Sequence, residues 1–200
     1  TIVDRPFAPA GALSWKGVRV GIFGDDGEVP HVERVLDALL ELGAERVDVA
    51  LKEHPLEAIS LTLDAESASV FDELTRSDRD DELTRQDEWA WPNLFRVARS
   101  ISAVDLWRGA RARTLLCEDM ARVMEQVDVL LYPTSGGDAH LVTVTNLTGH
   151  PCVAAPCGLS EEGRPWSVTF GGKLLGEARL LGLVQAWQEA SRHHLERPPL

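Results

Sequence analysis

The sequence is short of positive charge, lysine, cysteine and long apolar runs, and each shortage excludes something. Lys and Arg number 20 against 32 Asp and Glu, a formal net charge of −12. A phosphate backbone is repelled by such a chain, which excludes nucleic acid as a partner. No apolar run approaches the ~20 residues that a membrane helix requires, so no membrane partner is expected. The three cysteines, Cys117, Cys152 and Cys157, are odd in number and lack CxxC spacing. A disulfide framework is thereby disfavoured, and a reducing, cytoplasmic setting is expected. The six histidines show no zinc-type spacing, with His193 and His194 simply adjacent. Neither a metal nor a cofactor is expected. Lysine occurs only at positions 16, 52 and 173, and no two serines are adjacent anywhere.

What is present suits a globular chain. Hydrophobic residues make up 44% and charged residues 26%, enough apolar material for one domain, or one domain with a helical excursion. After a Pro-containing lead-in over 1–15, Val18–Phe23 has β-type composition and closes on the turn signal Gly24-Asp25-Asp26-Gly27. Val32, Val35, Leu36, Leu39, Leu40 and Leu42 recur at helical spacing, and Gly43 supplies a helix stop. Val47–Leu51 reads as a second strand, so this stretch predicts a βαβ unit with a parallel pair.

Residues 57–88 hold eleven acidic residues against three arginines, a net −8 and two thirds of the total charge. They contain a near-repeat, Asp72-Glu73-Leu74-Thr75-Arg76-Ser77-Asp78 and Asp81-Glu82-Leu83-Thr84-Arg85-Gln86-Asp87. The nine-residue offset is too short for a solenoid. It predicts two exposed helical pieces with acidic starts, where the helix dipole favours them. The whole of 57–126 reads as a mainly helical excursion, interrupted at Ser100-Ile101-Ser102. Arg108, Arg111 and Arg113 form either a solvated face or the lining for an acidic substrate. Strands are expected at Val127–Tyr132, Pro151–Leu159 and Trp166–Phe170, the last two able to pair through the turn at 161–165. An amphipathic helix is expected over 177–195. The class is α/β, a three-layer helix–sheet–helix arrangement with a mixed β-sheet.

The segment richest in shaped polar residues runs from Val127-Asp128-Val129-Leu130-Leu131-Tyr132-Pro133-Thr134 to Thr145-Asn146-Leu147-Thr148-Gly149-His150-Pro151 and Ala154-Ala155-Pro156-Cys157-Gly158. It is read as a buried strand, a polar loop and a second strand. Asn146 and Thr148 can fix the loop through backbone hydrogen bonds, and Gly149 permits a conformation closed to other residues. Such a loop at a strand end is a common wall of a ligand pocket.

This segment resembles the C-terminal region of amidase-signature enzymes, in which an aspartate-led strand ending in Pro precedes an Asn-Leu-Thr-Gly loop, a Pro-rich strand, a turn, a strand and a terminal helix. Upstream, Asp4-Arg5-Pro6-Phe7, Lys16-Gly17-Val18-Arg19-Val20-Gly21, Glu66-Ser67-Ala68, Phe71-Asp72-Glu73-Leu74 and Arg111-Ala112-Arg113-Thr114-Leu115-Leu116 are similar to the family's following linker, strand and middle helices. The ordered set carries the likeness. It implies that residues 1–200 are the C-terminal portion of an amidase-signature domain. The complete enzyme would cleave a carbon–nitrogen amide bond through an acyl-enzyme. It also implies Thr145, Asn146, Thr148 and Gly149 as substrate-lining residues. The family's nucleophilic serine, its second serine on a cis peptide and its lysine belong N-terminal to this sequence. No catalytic residue is therefore assigned, and the chain is expected to be inactive alone.

Other candidates are weaker. Thr134-Ser135-Gly136-Gly137-Asp138, with Lys52 upstream, lacks tandem serines. His150 and Cys152 would share a face on a strand and could form a Cys–His pair or merely pack. Asp25-Asp26 resembles the acidic pocket of phosphorelay receivers, but the next strand ends at Lys52 where a further Asp is required. The start at Thr1 reads as a cut and Arg197-Pro198-Pro199-Leu200 as a natural end. A small amide is expected as substrate only when the chain is joined to the catalytic N-terminal part. Self-association or pairing with that half is expected because a cut sheet leaves an open edge. The alternative is a non-catalytic binding or structural subunit, or a family remnant. A third reading is an independent small-molecule-binding α/β domain with its pocket at Gly24–Gly27.

Overall fold

The computed structural model describes residues 7–8, 10–23, 30–135 and 140–199. The turn at Gly24–Gly27, the Asp25-Asp26 pair and residues 136–139 of the Ser135 segment lie outside them. The chain divides into two compact units, Thr1–Lys52 with Asp119–Leu200, and Glu53–Glu118.

The first unit is built on one five-stranded sheet. Strand β1 (Arg19–Phe23) leads to helix α1 (Pro30–Glu41) and strand β2 (Glu45–Val49), and β1 and β2 pair in parallel. Strand β2 starts two residues earlier than the apolar pattern predicts. Gly43, at φ 94°, ends α1 so tightly that Glu45 N–H already reaches the Val18 carbonyl at 2.8 Å. Strand β3 (Val129–Pro133) lies parallel to β1 on its other side. It is followed by helix α6 (His140–Thr148), the hairpin of β4 (Cys152–Leu159) and β5 (Pro165–Gly172), and helix α7 (Glu177–Ser191). The order is β2-β1-β3-β5-β4, with β5 antiparallel to both β3 and β4, so the sheet is mixed. Helix α7 is shorter than the predicted 177–195, because Arg192 enters the left-handed region at φ 59° and a 3-10 turn, His193–Leu195, follows.

Strand alternation sorts the side chains into two faces. Val20, Ile22, Val129, Leu131, Val168 and Phe170 point to one face, under Val35, Leu36 and Leu39 of α1 and Leu183, Val184 and Trp187 of α7. Phe170 is the hub of this core, its ring 6.1 Å from Trp15 and 5.3 Å from Trp187. Tyr132 points to the other face and bonds Thr145 of α6, which supplies the third layer. The lead-in is tied across α7: Leu13 N–H donates to the Gly182 carbonyl at 2.9 Å, and the Trp15 indole N–H to the Leu183 carbonyl at 3.0 Å.

At the start of β3, Asp128 staples the sheet. It accepts from the Arg19 backbone N–H at 3.1 Å and from the Arg19 guanidinium at 3.3 and 3.4 Å, with Lys173 at 3.8 Å. Burial alone would raise its pKa, but the Arg19 hydrogen bonds and the two cations outweigh it, holding the carboxyl below the usual range. A folded pKa below the unfolded one stabilises above the unfolded value, and that contribution is lost as pH falls through the folded pKa. Asp128→Asn should therefore cost ~1 kcal/mol at neutral pH. Thermal unfolding of the two proteins should converge as the pH drops below ~4. A gap that persists unchanged in acid would contradict the assignment.

The second unit is helical. Helices α2 (Leu56–Val70), α3 (Asp72–Arg76) and α4 (Trp91–Ala98) precede α5 (Ala103–Gln126), whose last turns fall in the first unit. The two near-repeats do not share a conformation. Asp72–Arg76 is α-helical, whereas Asp81-Glu82 closes a 3-10 turn (Arg79–Glu82) and Leu83–Arg85 is non-helical. The difference is tertiary. Asp80 is buried and pairs with Arg96 at 2.7 Å, while the Gln86 amide donates to the Asp80 and Leu83 carbonyls and so ends the turn. The break at 100–102 is a cap, with Ser102 Oγ accepting from Asp105 N–H at 3.1 Å. Arg108, Arg111 and Arg113 are exposed, and Arg108 bonds Asp105.

Candidate functional site

The polar segment singled out in the sequence folds differently from its prediction. Where a loop is expected, residues His140–Thr148 form α6, and the Asn-Leu-Thr-Gly sequence is its last turn and cap. Gly149, at φ 77°, is the left-handed C′ residue, and His150 N–H bonds the Thr145 carbonyl at 3.0 Å, the 6→1 bond of a Schellman closure. The β-branched residues Val142, Thr143, Val144 and Thr145 conceal the helix in the sequence, because they lower its intrinsic propensity. Packing against β3 supplies what propensity does not.

The four substrate-lining residues implied by the resemblance consequently separate. Thr145 and Thr148 are buried, whereas Asn146 and Gly149 are exposed. The Thr145 hydroxyl lies 2.9 Å from the Leu141 carbonyl and 3.1 Å from Tyr132 Oη, and Tyr132 Oη lies 3.1 Å from Cys152 Sγ. Burial, with the Cys152 contact, raises the Tyr132 pKa far above its ordinary value, so the phenol is neutral and acts as a fixed hydrogen-bonding group. Thr148 Oγ1 lies 2.9 Å from the Val144 carbonyl and 2.8 Å from His150 Nδ1. Donation to Val144 leaves that oxygen to accept from Nδ1–H, which places the lone pair of the imidazole on Nε2. Burial lowers the His150 pKa below 6.5, so the ring is neutral at neutral pH.

These bonds settle the His150–Cys152 alternative. His150 turns to Thr148, and Cys152 Sγ turns to Tyr132 and to the His150 carbonyl at 3.5 Å. The geometry is that of two residues bound to separate neighbours, and sequence spacing alone could not separate this from a reactive pair. At the end of β3, Thr134 and Thr169 join hydroxyls at 2.9 Å and hold β3 to β5. Sequence reasoning passed over Tyr132 and Thr169. The signal for Tyr132 was its placement, a polar aromatic at the end of an otherwise aliphatic strand.

The site is thus a rigid polar wall, with Asn146, Gly149 and Cys152 at its surface. It lacks an activated nucleophile among the described residues. Lys16, Lys52 and Lys173 are all exposed, Lys52 beside Asp119 at 3.5 Å and Lys173 beside Asp128 at 3.8 Å. A lysine serving as general base needs burial that none of them has. No cluster of three or more His, Cys, Asp or Glu suited to a metal occurs among the described residues.

No family profile matches the chain. Individual relatives do. The A-type component of glutamyl-tRNA(Gln) amidotransferase from Synechococcus sp. (strain CC9902) is 29% identical over 248 aligned positions, covering 98% of this chain and 50% of that protein. Its counterpart from Thermosynechococcus vestitus is 34% identical over 110 positions, 46% of this chain and 23% of its own length. The chain thus spans about half the length of the relative that it matches end to end. Among solved structures, 6-aminohexanoate cyclic dimer hydrolase aligns over 99% of the chain and 50% of its own, with a TM-score of 0.74 at 16% identity. The peptide amidase of Stenotrophomonas maltophilia aligns over 94% and 45%, at 0.70 and 20%. A bacterial aryl acylamidase described as an amidase-signature enzyme aligns over 91% and 45%, at 0.68 and 18%. At these identities the structural matches establish a shared fold.

Proposed function

We propose that this chain, a relative of the amidase-signature enzymes in sequence and in fold, is the C-terminal portion of an amide hydrolase and provides the substrate-side wall of its active site rather than its reactive groups. The observation that carries this reading is the α6 cap. Gly149 and Asn146 present a polar surface whose position is fixed from beneath by the bonded set of Thr145, Tyr132, Thr148 and His150. A wall that orients a carboxamide needs such rigidity, because misplacing a reacting group by ~1 Å costs on the order of a hundredfold in rate. In the complete enzyme a serine would attack the carboxamide carbon, an acyl-enzyme would form as ammonia or an amine leaves, and water would release the acid. The sequence supports a division of labour: it has three lysines, none buried, and no adjacent serines. Half-length coverage of the end-to-end relative supports pairing with a catalytic half. A cytoplasmic setting is in keeping with three free thiols. Among the described residues, no helix is long and apolar enough to cross a membrane.

The purified 200-residue chain should release no ammonia from a simple carboxamide, and activity should appear when it is joined to, or mixed with, a segment carrying the lysine and tandem serines. Turnover by the chain alone that Ser135→Ala abolishes would overturn the proposal. A monodisperse monomer with no affinity for the catalytic segment, measured by light scattering, would favour the independent-domain reading instead.

A further inference from the structure

Three of the six tryptophans, Trp89, Trp91 and Trp107, are exposed, and all three belong to the helical unit Glu53–Glu118. Tryptophan is highly buried on average, so a cluster of exposed rings marks an interaction surface. Trp89 and Trp91, 75% and 53% exposed, line an open hollow of about 280 Å3 together with Leu83, Arg85 and Pro92. The patch continues past the hollow. The Trp91 ring stacks on Phe95 at 5.6 Å, and Phe95 stacks on the exposed Phe71 at 4.8 Å. The loop that carries the two indoles is fixed by its own polar groups. The Asn93 amide donates to the Gln86 and Asp87 carbonyls, both at 2.9 Å, while Gln86 in turn holds Asp80 and Leu83. Trp89 N–H donates to the Asp87 carboxylate at 3.2 Å, and N–H of the buried Ala90 to the Asp87 carbonyl at 2.9 Å. Rings held by a preset loop lose little freedom on binding.

Charge selects the partner. Across residues 72–99, Arg76 and Arg99 pair with Asp72, Arg85 with Asp87, and Arg96 with Asp80 and Asp81, so four cations meet four acids. Arg85, which lines the hollow, is bound to both Asp87 oxygens at 2.9 Å and adds no surplus charge there. Outside these pairs, the exposed Glu73, Asp78, Glu82 and Glu88 stand against Arg79 alone. Glu82 adjoins Leu83 and Glu88 adjoins Trp89, which sets the negative surplus beside the hollow. That surplus repels an anionic bilayer and a second copy presenting the same face. It attracts a cation, as the faces of the indole rings also do.

We propose that this face docks a basic, amphipathic segment of a partner protein, its apolar side chains seated against Trp89, Trp91 and Phe71 and its Lys or Arg side chains meeting Glu82 and Glu88. The proposal does not rest on the amide-hydrolase reading of the α6 wall. The test is calorimetric titration of the full chain with a synthetic peptide of leucine and lysine at amphipathic-helix spacing. Saturable binding is expected. The same peptide with glutamate at every lysine, or with serine at every leucine, should bind at least about tenfold more weakly. Trp89→Ala and Trp91→Ala should each weaken the leucine–lysine peptide by at least about tenfold, whereas Trp107→Ala, exposed but outside the patch, should leave its affinity unchanged. Trp89 is exposed, so Trp89→Ala should keep the circular dichroism of the parent chain. Glu82→Gln combined with Glu88→Gln should flatten the salt dependence of binding. No saturable binding, equal binding of the glutamate peptide, or unchanged affinity in Trp89→Ala would each overturn the proposal. So would phosphatidylcholine vesicles bound through Trp89, or a self-associated chain that Trp89→Ala dissociates, since either would name a different occupant.

Discussion

Replacing Gly182 with leucine will lower the stability of this protein by at least ~3 kcal/mol, a drop in Tm of roughly 6–12 °C for a chain of this size. Gly182 is buried in the middle of α7, where glycine is a poor helix former, so a side chain there would ordinarily help. The structure reverses that expectation. A Cβ at position 182 would collide with the Gly11 carbonyl oxygen and lie 2.9 Å from Leu13 Cγ. The lead-in would have to lift, breaking the Leu13–Gly182 hydrogen bond and loosening Trp15, which is 2% exposed in the core. Gly182→Ala makes the sharper comparison. In an exposed helix it would gain about 1 kcal/mol; here it should lose stability. Thermal unfolding of both variants decides the matter, and a stabilised Gly182→Ala would show that the lead-in is not packed on α7.

The second large effect is expected at Tyr132. Truncation to alanine removes a ring that is 2% exposed and covers Gly171, whose Cβ position lies 3.3 Å from the ring. A loss of ~3–5 kcal/mol is expected. Tyr132→Phe keeps the ring and removes the hydroxyl that joins Thr145 to Cys152. It should cost only ~1 kcal/mol, because Thr145 retains its own carbonyl partner and Cys152 is exposed. Denaturant titration gives both values. Hydrogen exchange adds the spatial readout: in Tyr132→Ala the amides of α6 should lose protection before those of β1. Uniform loss across the sheet would mean that Tyr132 does not anchor α6 in particular.

The contrast between these two positions shows where sequence reasoning carries and where it stops. Gly182 sits unremarkably within an amphipathic helix, and nothing local announces that another segment crosses it. Tyr132 lies in a strand that the pattern placed to within two residues, yet its partners are 13 and 20 positions away. The same holds for the acidic near-repeat, one sequence in two conformations, because Asp80 meets Arg96 across the second copy. For the site, the sequence marked Thr145, Asn146, Thr148 and Gly149 as a group but read them as one loop surface. A helix divides them: Thr145 and Thr148, three apart, share its buried face, Asn146 faces outward, and Gly149 follows the last turn.

By itself, then, the sequence determined what depends on composition and near-neighbour periodicity. The net charge of −12 follows from composition; the α/β alternation, the parallel β1–α1–β2 unit and the β4–β5 hairpin rest on residues close together in the chain, and the likeness to amidase-signature enzymes rests on short segments in a fixed order. Tertiary structure alone decided whatever required distant residues to meet: the order β2-β1-β3-β5-β4, the folding of a β-branched polar stretch into α6, and the separation of His150 from Cys152. Burial against a partner surface is worth more than the few tenths of a kcal/mol by which local preference distinguishes one conformation from another, and the sequence does not display that surface until the chain has folded.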